Sequence, residues 1–260
     1  MTVNSDFKAR LSAGQEMLGV FVKTPQPIII EILGQSGLDF MVIDAEHAPF
    51  DREAIDTAMI AGRAAGCPIL VRVPKGDPET ILGVLDSGAA GVMVPHVCTA
   101  EQAAALAKAV RYGPGGRGFA GTTRAADYAR RGLQEHFDRT AGEVSLICQI
   151  EDPEGYENFR SIASVDGVDA LFVGRADLSV SYGLRDFFAR ETADRCAEIL
   201  GAKGAATGLY CAPNEDVAPW RRAGGSLFVI GSDHTLMTRG VAQMREAVFG
   251  SATSSKGSAR

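Results

Sequence analysis

The chain has 260 residues, 46% of them apolar and 22% charged. With a mean hydropathy near zero, that is the composition of a water-soluble globular protein with one large core. Its 32 acidic and 26 basic residues give a net charge of −6 with no long block of either sign, which argues against nucleic acid or an anionic membrane as a partner. No apolar run reaches the length of a bilayer span, and residues 1–15 lack the basic start and apolar stretch of a secretion signal, so the expectation is a cytoplasmic protein.

In chain order, short runs rich in Val, Ile, Leu and Phe predict buried strands at Met17 to Lys23, Phe40 to Glu46, Pro68 to Pro74, Ala90 to His96, Val144 to Ile150, Ala170 to Gly174, Thr207 to Cys211 and Ser226 to Gly231. Stretches of helical character separate them, with the punctuation that helices need. Asp51 precedes an apolar-periodic segment that Gly66 and Pro68 close. Asp77 caps another, with Pro78 at its first position and Gly88 after its end. Thr99 and Gln102 form the capping box of a third. Eight alternating units predict an α/β fold, a closed (β/α)8 TIM barrel in one domain over residues 1–250. The small polar residues 251–260 are expected to be a disordered tail.

Between His96 and Val144 there is too much chain for one helix, and the surplus, RYGPGGRGFAGTTRAADYARRG, is expected to be a functional loop. Its GxGxxG follows a helix rather than a strand, so it is not read as a dinucleotide site, and no P-loop is present. The five cysteines form no CxxC pair and sit mostly in apolar segments. They read as reduced core thiols rather than as disulfides or a zinc site.

In a parallel barrel, catalytic groups come from the C-terminal ends of the strands. Here those ends carry Asp44, Glu46 and His47; Arg72; Gln149 and Glu151; Arg175 and Asp177; and Ser232, Asp233 and His234. Glu151 and Asp177, on neighbouring strands, suit a hard divalent ion such as Mg²⁺, Mn²⁺ or Co²⁺, or else cap the helices that follow. His47 is able to exchange a proton near neutral pH, or is a solvated loop residue. Period-two alternation puts Asp44 and Glu46 on one face and His47 on the other, unless the chain turns there, which Pro49 favours. Arg72 must find a partner or reach the barrel mouth, because an unpaired buried charge is costly. His96, His136 and His234 rank lower, as structural or surface residues.

The segments VIDAEHAPFD (42–51), VRVP (71–74), LDSGAAGVMVPHV (85–97), RYGPGGRGFAG (111–121), QIED (149–152), FVGRADLS (172–179) and the terminal FVIGSDHTLM closely resemble the HpcH/HpaI family of metal-dependent pyruvate aldolases. That resemblance implies a barrel of the phosphoenolpyruvate/pyruvate type and reversible cleavage of 2-oxo-4-hydroxy acids to pyruvate, or a related 2-oxo acid, and an aldehyde. It implies Glu151 and Asp177 as metal ligands and His47 as catalytic base. Arg72 would stabilise the enolate, and Asp86 would raise the basicity of the histidine. Gln149 and the backbone around Ala176 and Asp177 would bind the oxo-acid carboxylate. It also implies a hexamer in which Asp233 to Phe249 packs on a neighbouring subunit.

Three positions depart from the family pattern. Arg175 stands where relatives often have proline or another small residue, so that a positive charge is expected beside the substrate site; Gly113 stands where they usually have proline; and Asp86 falls late in a predicted helix, away from the mouth of its own barrel. Either that helix ends early or a neighbouring subunit supplies the acid. Two rival chemistries share the barrel. One is a Schiff-base aldolase using Lys23 or Lys75. The other is a citryl-thioester lyase or related enolate enzyme, for which no basic cluster fit to hold coenzyme A or phosphate is evident. A barrel that binds a small acid without turnover is the non-enzymatic alternative.

Overall fold

The computed structural model describes residues 2–250. The expected tail, 251–260, lies outside the described residues. A first helix, α1 (Val3–Ser12), leads into eight strands: β1 (Met17–Val22), β2 (Phe40–Asp44), β3 (Ile69–Arg72), β4 (Gly91–Val94), β5 (Ser145–Ile150), β6 (Ala170–Val173), β7 (Ala206–Cys211) and β8 (Leu227–Ser232). All pair in parallel with their sequence neighbours, and β8 pairs with β1, so the sheet closes into a barrel. The outer helices are α2 (Pro27–Gly34), α3 (Arg52–Ala65), α4 (Pro78–Asp86), α5 (Ala100–Val110), α6 (Leu133–Glu143), α7 (Pro153–Ala163), α8 (Arg175–Ser181), α9 (Arg190–Leu200), α10 (Ala218–Ala223) and α11 (Asp233–Phe249). None of the described helices is long and apolar enough to cross a membrane.

The eight expected strands are all present, most of them trimmed at the C-terminal end. Lys23, Glu46, Pro74, His96 and Gly174 fall beyond the ladder, because at these points the chain turns outward to begin a loop. The helix signals act as read. Asp51 and Asp77 accept from Ala54 and Thr80 amides, Thr99 and Gln102 cap α5 reciprocally, and Gly66 ends α3 in the left-handed region at φ 69°. The long interval before β5 holds a second helix, α6, and a single 3-10 turn at Asp127–Ala129.

Two apolar layers follow from strand alternation. Val20, Val22, Met41, Ile43, Val71 and Leu146 face the helices. Phe21, Phe40, Val42, Leu70, Met93, Ile147, Phe172 and Val229 fill the barrel interior. Phe7 and Leu11 of α1 complete the interior set, Phe7 lying 5.4 Å from the Phe40 ring, so α1 plugs the N-terminal end. Room for Phe40 depends on Gly19, where any Cβ would overlap the ring.

Candidate active site

Continuing the interior alternation toward the C-terminal end replaces apolar residues by polar ones. Val42 is followed two residues on by Asp44, Leu70 by Arg72, and Ile147 by Gln149 and then Glu151. The same periodicity that builds the core therefore aims this polar set into the mouth. Asp44 and Arg72 are register partners across the β2–β3 ladder.

Asp44 is fully buried. Its Oδ1 accepts from Arg72 Nε at 3.1 Å and lies 2.9 Å from Arg72 Nη2, while Lys23 Nζ is 3.0 Å from Oδ2. Burial would raise the Asp44 pKa, but the Arg72 charge and the Lys23 and His47 hydrogen bonds outweigh it and hold the carboxyl below the ordinary range. The Arg72 guanidinium packs 4.5 Å over the Phe21 ring, and its Nε also lies 3.3 Å from Glu46 Oε2. A partner and access to the mouth, the two outcomes open to Arg72, thus occur together.

Ala45 to His47 form a turn that leaves the extended conformation, and the His47 amide closes it by donating to Asp44 Oδ1 at 3.1 Å. That turn removes the alternation problem. His47 is exposed, and its Nε2 stands 3.6 Å from Glu46 Oε2, the oxygen that Arg72 also faces.

Across the mouth, Glu151 is 2% exposed. Its Oε1 accepts from the His96 amide at 2.9 Å, and its Oε2 accepts from Gln149 Nε2. Burial raises the Glu151 pKa, Gln149 and His96 oppose the rise, and the charge of Asp177 adds to it. Asp177 is exposed in the first turn of α8, next to exposed Ala176. Buried Gln149 Oε1 has no hydrogen-bond partner among the described residues.

A buried carboxylate within electrostatic reach of a second one, with an unsatisfied amide oxygen next to it, is a donor set that fits a hard divalent cation. No three acidic, histidine or cysteine side chains form a closed cage among the described residues, so solvent or substrate oxygens would complete the shell.

Asp86 is the other case. Helix α4 runs through it, so the helix does not end early; the residue lies at the end leading into β4, opposite the mouth, and its carboxylate is engaged by buried Arg117. Within one chain it is not brought to His47. Arg175 also differs from expectation. Its charge does not stand beside the substrate site but is paired with Glu215 and 3% exposed.

His96, ranked low from sequence, sits beside Glu151. It adopts φ 55°, its Nδ1 is 2.9 Å from Asp152 Oδ2 and 3.5 Å from Glu151 Oε1, and it senses the Glu46 charge as well. The only sequence signal was its place at the end of a strand. His136 is structural, 2% exposed with Nε2 3.0 Å from the Tyr112 hydroxyl. Lys75 is exposed. The Lys23 ammonium is ion-paired, and attack on a carbonyl would require it to lose the proton that satisfies buried Asp44.

A barrel whose C-terminal mouth gathers acidic, amide and guanidinium groups has the parts to bind a cation and a small anionic substrate. Comparison with known proteins sharpens this. The profile of the HpcH/HpaI aldolase/citrate lyase family matches residues 17–239, and the chain belongs to that family.

The chain is 36% identical over 244 residues to a 4-hydroxy-2-oxovalerate aldolase of Novosphingobium aromaticivorans, covering 92% of each chain. It is 33% identical over 242 residues to a hydroxypyruvate/pyruvate aldolase of Deinococcus radiodurans, covering 91% of this chain and 87% of that one. A crystal structure of a family member from Burkholderia cenocepacia superposes with a TM-score of 0.88 at 30% identity, covering 94% of this chain and 99% of that one. The chain is a carbon–carbon lyase.

Proposed function

We propose that this protein is a class II pyruvate aldolase, cleaving 2-oxo-4-hydroxy acids reversibly into pyruvate, or a related 2-oxo acid, and an aldehyde. The observation that carries the reading is the division of the mouth. Arg72 and His47 meet at Glu46 on one side, and buried Glu151 stands beside Asp177 on the other. Glu151 and Asp177 would hold a divalent cation, with Mg²⁺, Mn²⁺ and Co²⁺ as the candidates. When bound, that ion supplies positive charge to the 2-oxo oxygen as negative charge develops there.

His47 takes the proton of the 4-hydroxyl group. The O–H electron pair becomes the second bond of the departing aldehyde carbonyl. The C3–C4 pair moves into the C2–C3 bond of the enolate, and the displaced charge rests on the 2-oxo oxygen, toward which Arg72 presents its guanidinium. Return of the proton from His47 to C3 completes pyruvate. Gln149 and the backbone at Ala176 and Asp177 would orient the substrate carboxylate.

Assembly into a hexamer through α11 belongs to the same proposal. That helix leaves Leu236, Met237, Val241, Met244, Val248 and Phe249 exposed, the kind of face that a second copy of the chain would cover. The test is a metal-supplemented aldol screen of pyruvate against a panel of aldehydes, read by product mass. Formation of 4-hydroxy-2-oxo acids supports the reading. Turnover of thioesters alone, with no product from simple aldehydes, would overturn it.

A further inference from the structure

Arg175 is the first residue of α8, and the turn it begins lies directly against the acidic pair. Before it, Gly174 packs so closely on Glu151 that a Cβ there would overlap the carboxylate and the Gln149 amide. After it come Ala176 and Asp177. No side chain caps α8. The Gly174 amide donates to the Ile150 carbonyl at 3.0 Å, and further along lie buried Leu178, the 2.9 Å Ser179–Thr192 hydroxyl contact and the Ser181 hydroxyl, which donates to the Glu151 carbonyl at 3.1 Å.

The Arg175 side chain adds a side-chain hold at the start of the helix, reaching toward Trp220 of the helix-facing layer. There both terminal nitrogens bond to Glu215, Nη2 to Oε2 at 2.7 Å. Glu215 is itself fixed, since Oε2 accepts from the Ala212 amide at 3.0 Å and Oε1 from Trp220 Nε1 at 3.0 Å. Phe188 and Trp220 flank the guanidinium at 4.9 and 5.7 Å. A fork-to-fork pair of this kind fixes direction as well as distance.

We propose that Arg175 is a positioning residue for the acidic pair: by locking the 174–177 turn onto Glu215, it sets the separation of the Glu151 and Asp177 carboxylates. The affinity of the mouth for a divalent cation, and for the 2-oxo acid beside it, then depends on a contact made outside the barrel wall. This rests on the reading of Glu151 and Asp177 as the cation ligands.

The test measures Mn²⁺ binding by calorimetry, with no substrate present, together with the KM and kcat of pyruvate methyl-proton exchange into D₂O. Arg175→Met and the milder Glu215→Gln are compared with Arg175→Lys, and with Arg111→Gln, which breaks the 2.9 Å Arg111–Asp169 pair at the opposite end of the barrel. Circular dichroism and cooperative thermal unfolding report whether each variant is folded. If Arg175→Met does not fold, Glu215→Gln carries the test.

The expected result is Mn²⁺ affinity about tenfold weaker in Arg175→Met and Glu215→Gln. KM should rise more than kcat falls, Arg175→Lys should lie closer to the parent, and Arg111→Gln should bind Mn²⁺ unchanged. Parent-like Mn²⁺ affinity in both Arg175→Met and Glu215→Gln, or an equal loss in Arg111→Gln, overturns the proposal alone. Failure of the parent protein to bind Mn²⁺ overturns it together with the ligand assignment.

Discussion

Asp44 and Arg72 end adjacent strands at the same rung of the ladder, and two nitrogens of the arginine converge on one oxygen of the aspartate, at 3.1 and 2.9 Å. Breaking a fully buried carboxylate away from this partner costs stability, because Arg72 then keeps only its 3.3 Å contact with Glu46 and Lys23 loses its ion pair. Asp44→Asn is expected to lower unfolding free energy by about 3 kcal/mol, measured by urea denaturation. The pH dependence has a definite sign. The folded pKa of Asp44 lies below its unfolded value, so its contribution is complete above about pH 4 and is lost as pH falls through the folded value. Asp44→Asn should therefore flatten the acid limb of a stability profile; an unchanged acid limb would show that the pair does not govern it.

Replacing His47 by Ala removes the proposed proton carrier and should lower the rate of both cleavage and condensation by roughly 10² to 10⁴. Arg72→Lys keeps the charge but loses the fork that reaches Asp44 and Glu46, and a loss of about 10² in kcat is expected. Steady-state kinetics in both directions check these values. Undiminished turnover in His47→Ala would remove the histidine from the reaction.

Asp86 gives a prediction about subunits. Its carboxylate meets Arg117 at the end of α4, away from His47 of the same chain, so any catalytic role must be exercised on a neighbour. His47→Ala and Asp86→Ala chains, each inactive alone, should regain activity when unfolded together and reassembled, because a mixed pair then holds one complete site. No recovery in mixed assemblies of normal size would leave Asp86 as a structural partner of Arg117.

The thiols supply a test of the core. Burial pushes Cys67, Cys148, Cys196 and Cys211 up to about 12, while Cys98, half-buried near Asp152, rises to about 11. Since the thiolate is the reactive form, a disulfide reagent at pH 8 should label the native protein slowly and at Cys98 first, and all five cysteines after denaturation. Rapid labelling of Cys148 in the native state would contradict the packing of β5.

Much of the barrel is legible in the sequence because buried strands and capped helices leave local marks: the FMVID and SLICQI runs, Asp51 before α3, Gly66 after it. Helix α1 left a weaker mark. Only Phe7 and Leu11 are buried, and their purpose, plugging the barrel, is a contact with distant strands. The polar residues at the mouth could be named from strand ends, but their pairing could not. The Lys23–Asp44 contact joins residues of different units, Glu215 lies forty positions from Arg175, and the left-handed His96 turn that offers an amide to Glu151 has no glycine to announce it.

The reaction proposed for this barrel depends on a divalent cation held at the mouth by Glu151 and Asp177. Pyruvate methyl-proton exchange, measured after exhaustive chelation and again after adding Mn²⁺, tests that dependence most directly. Exchange should disappear on chelation, return with Mn²⁺ in the parent protein, and not return in Glu151→Gln. Exchange that survives chelation, with borohydride trapping pyruvate on Lys23 or Lys75, would contradict it.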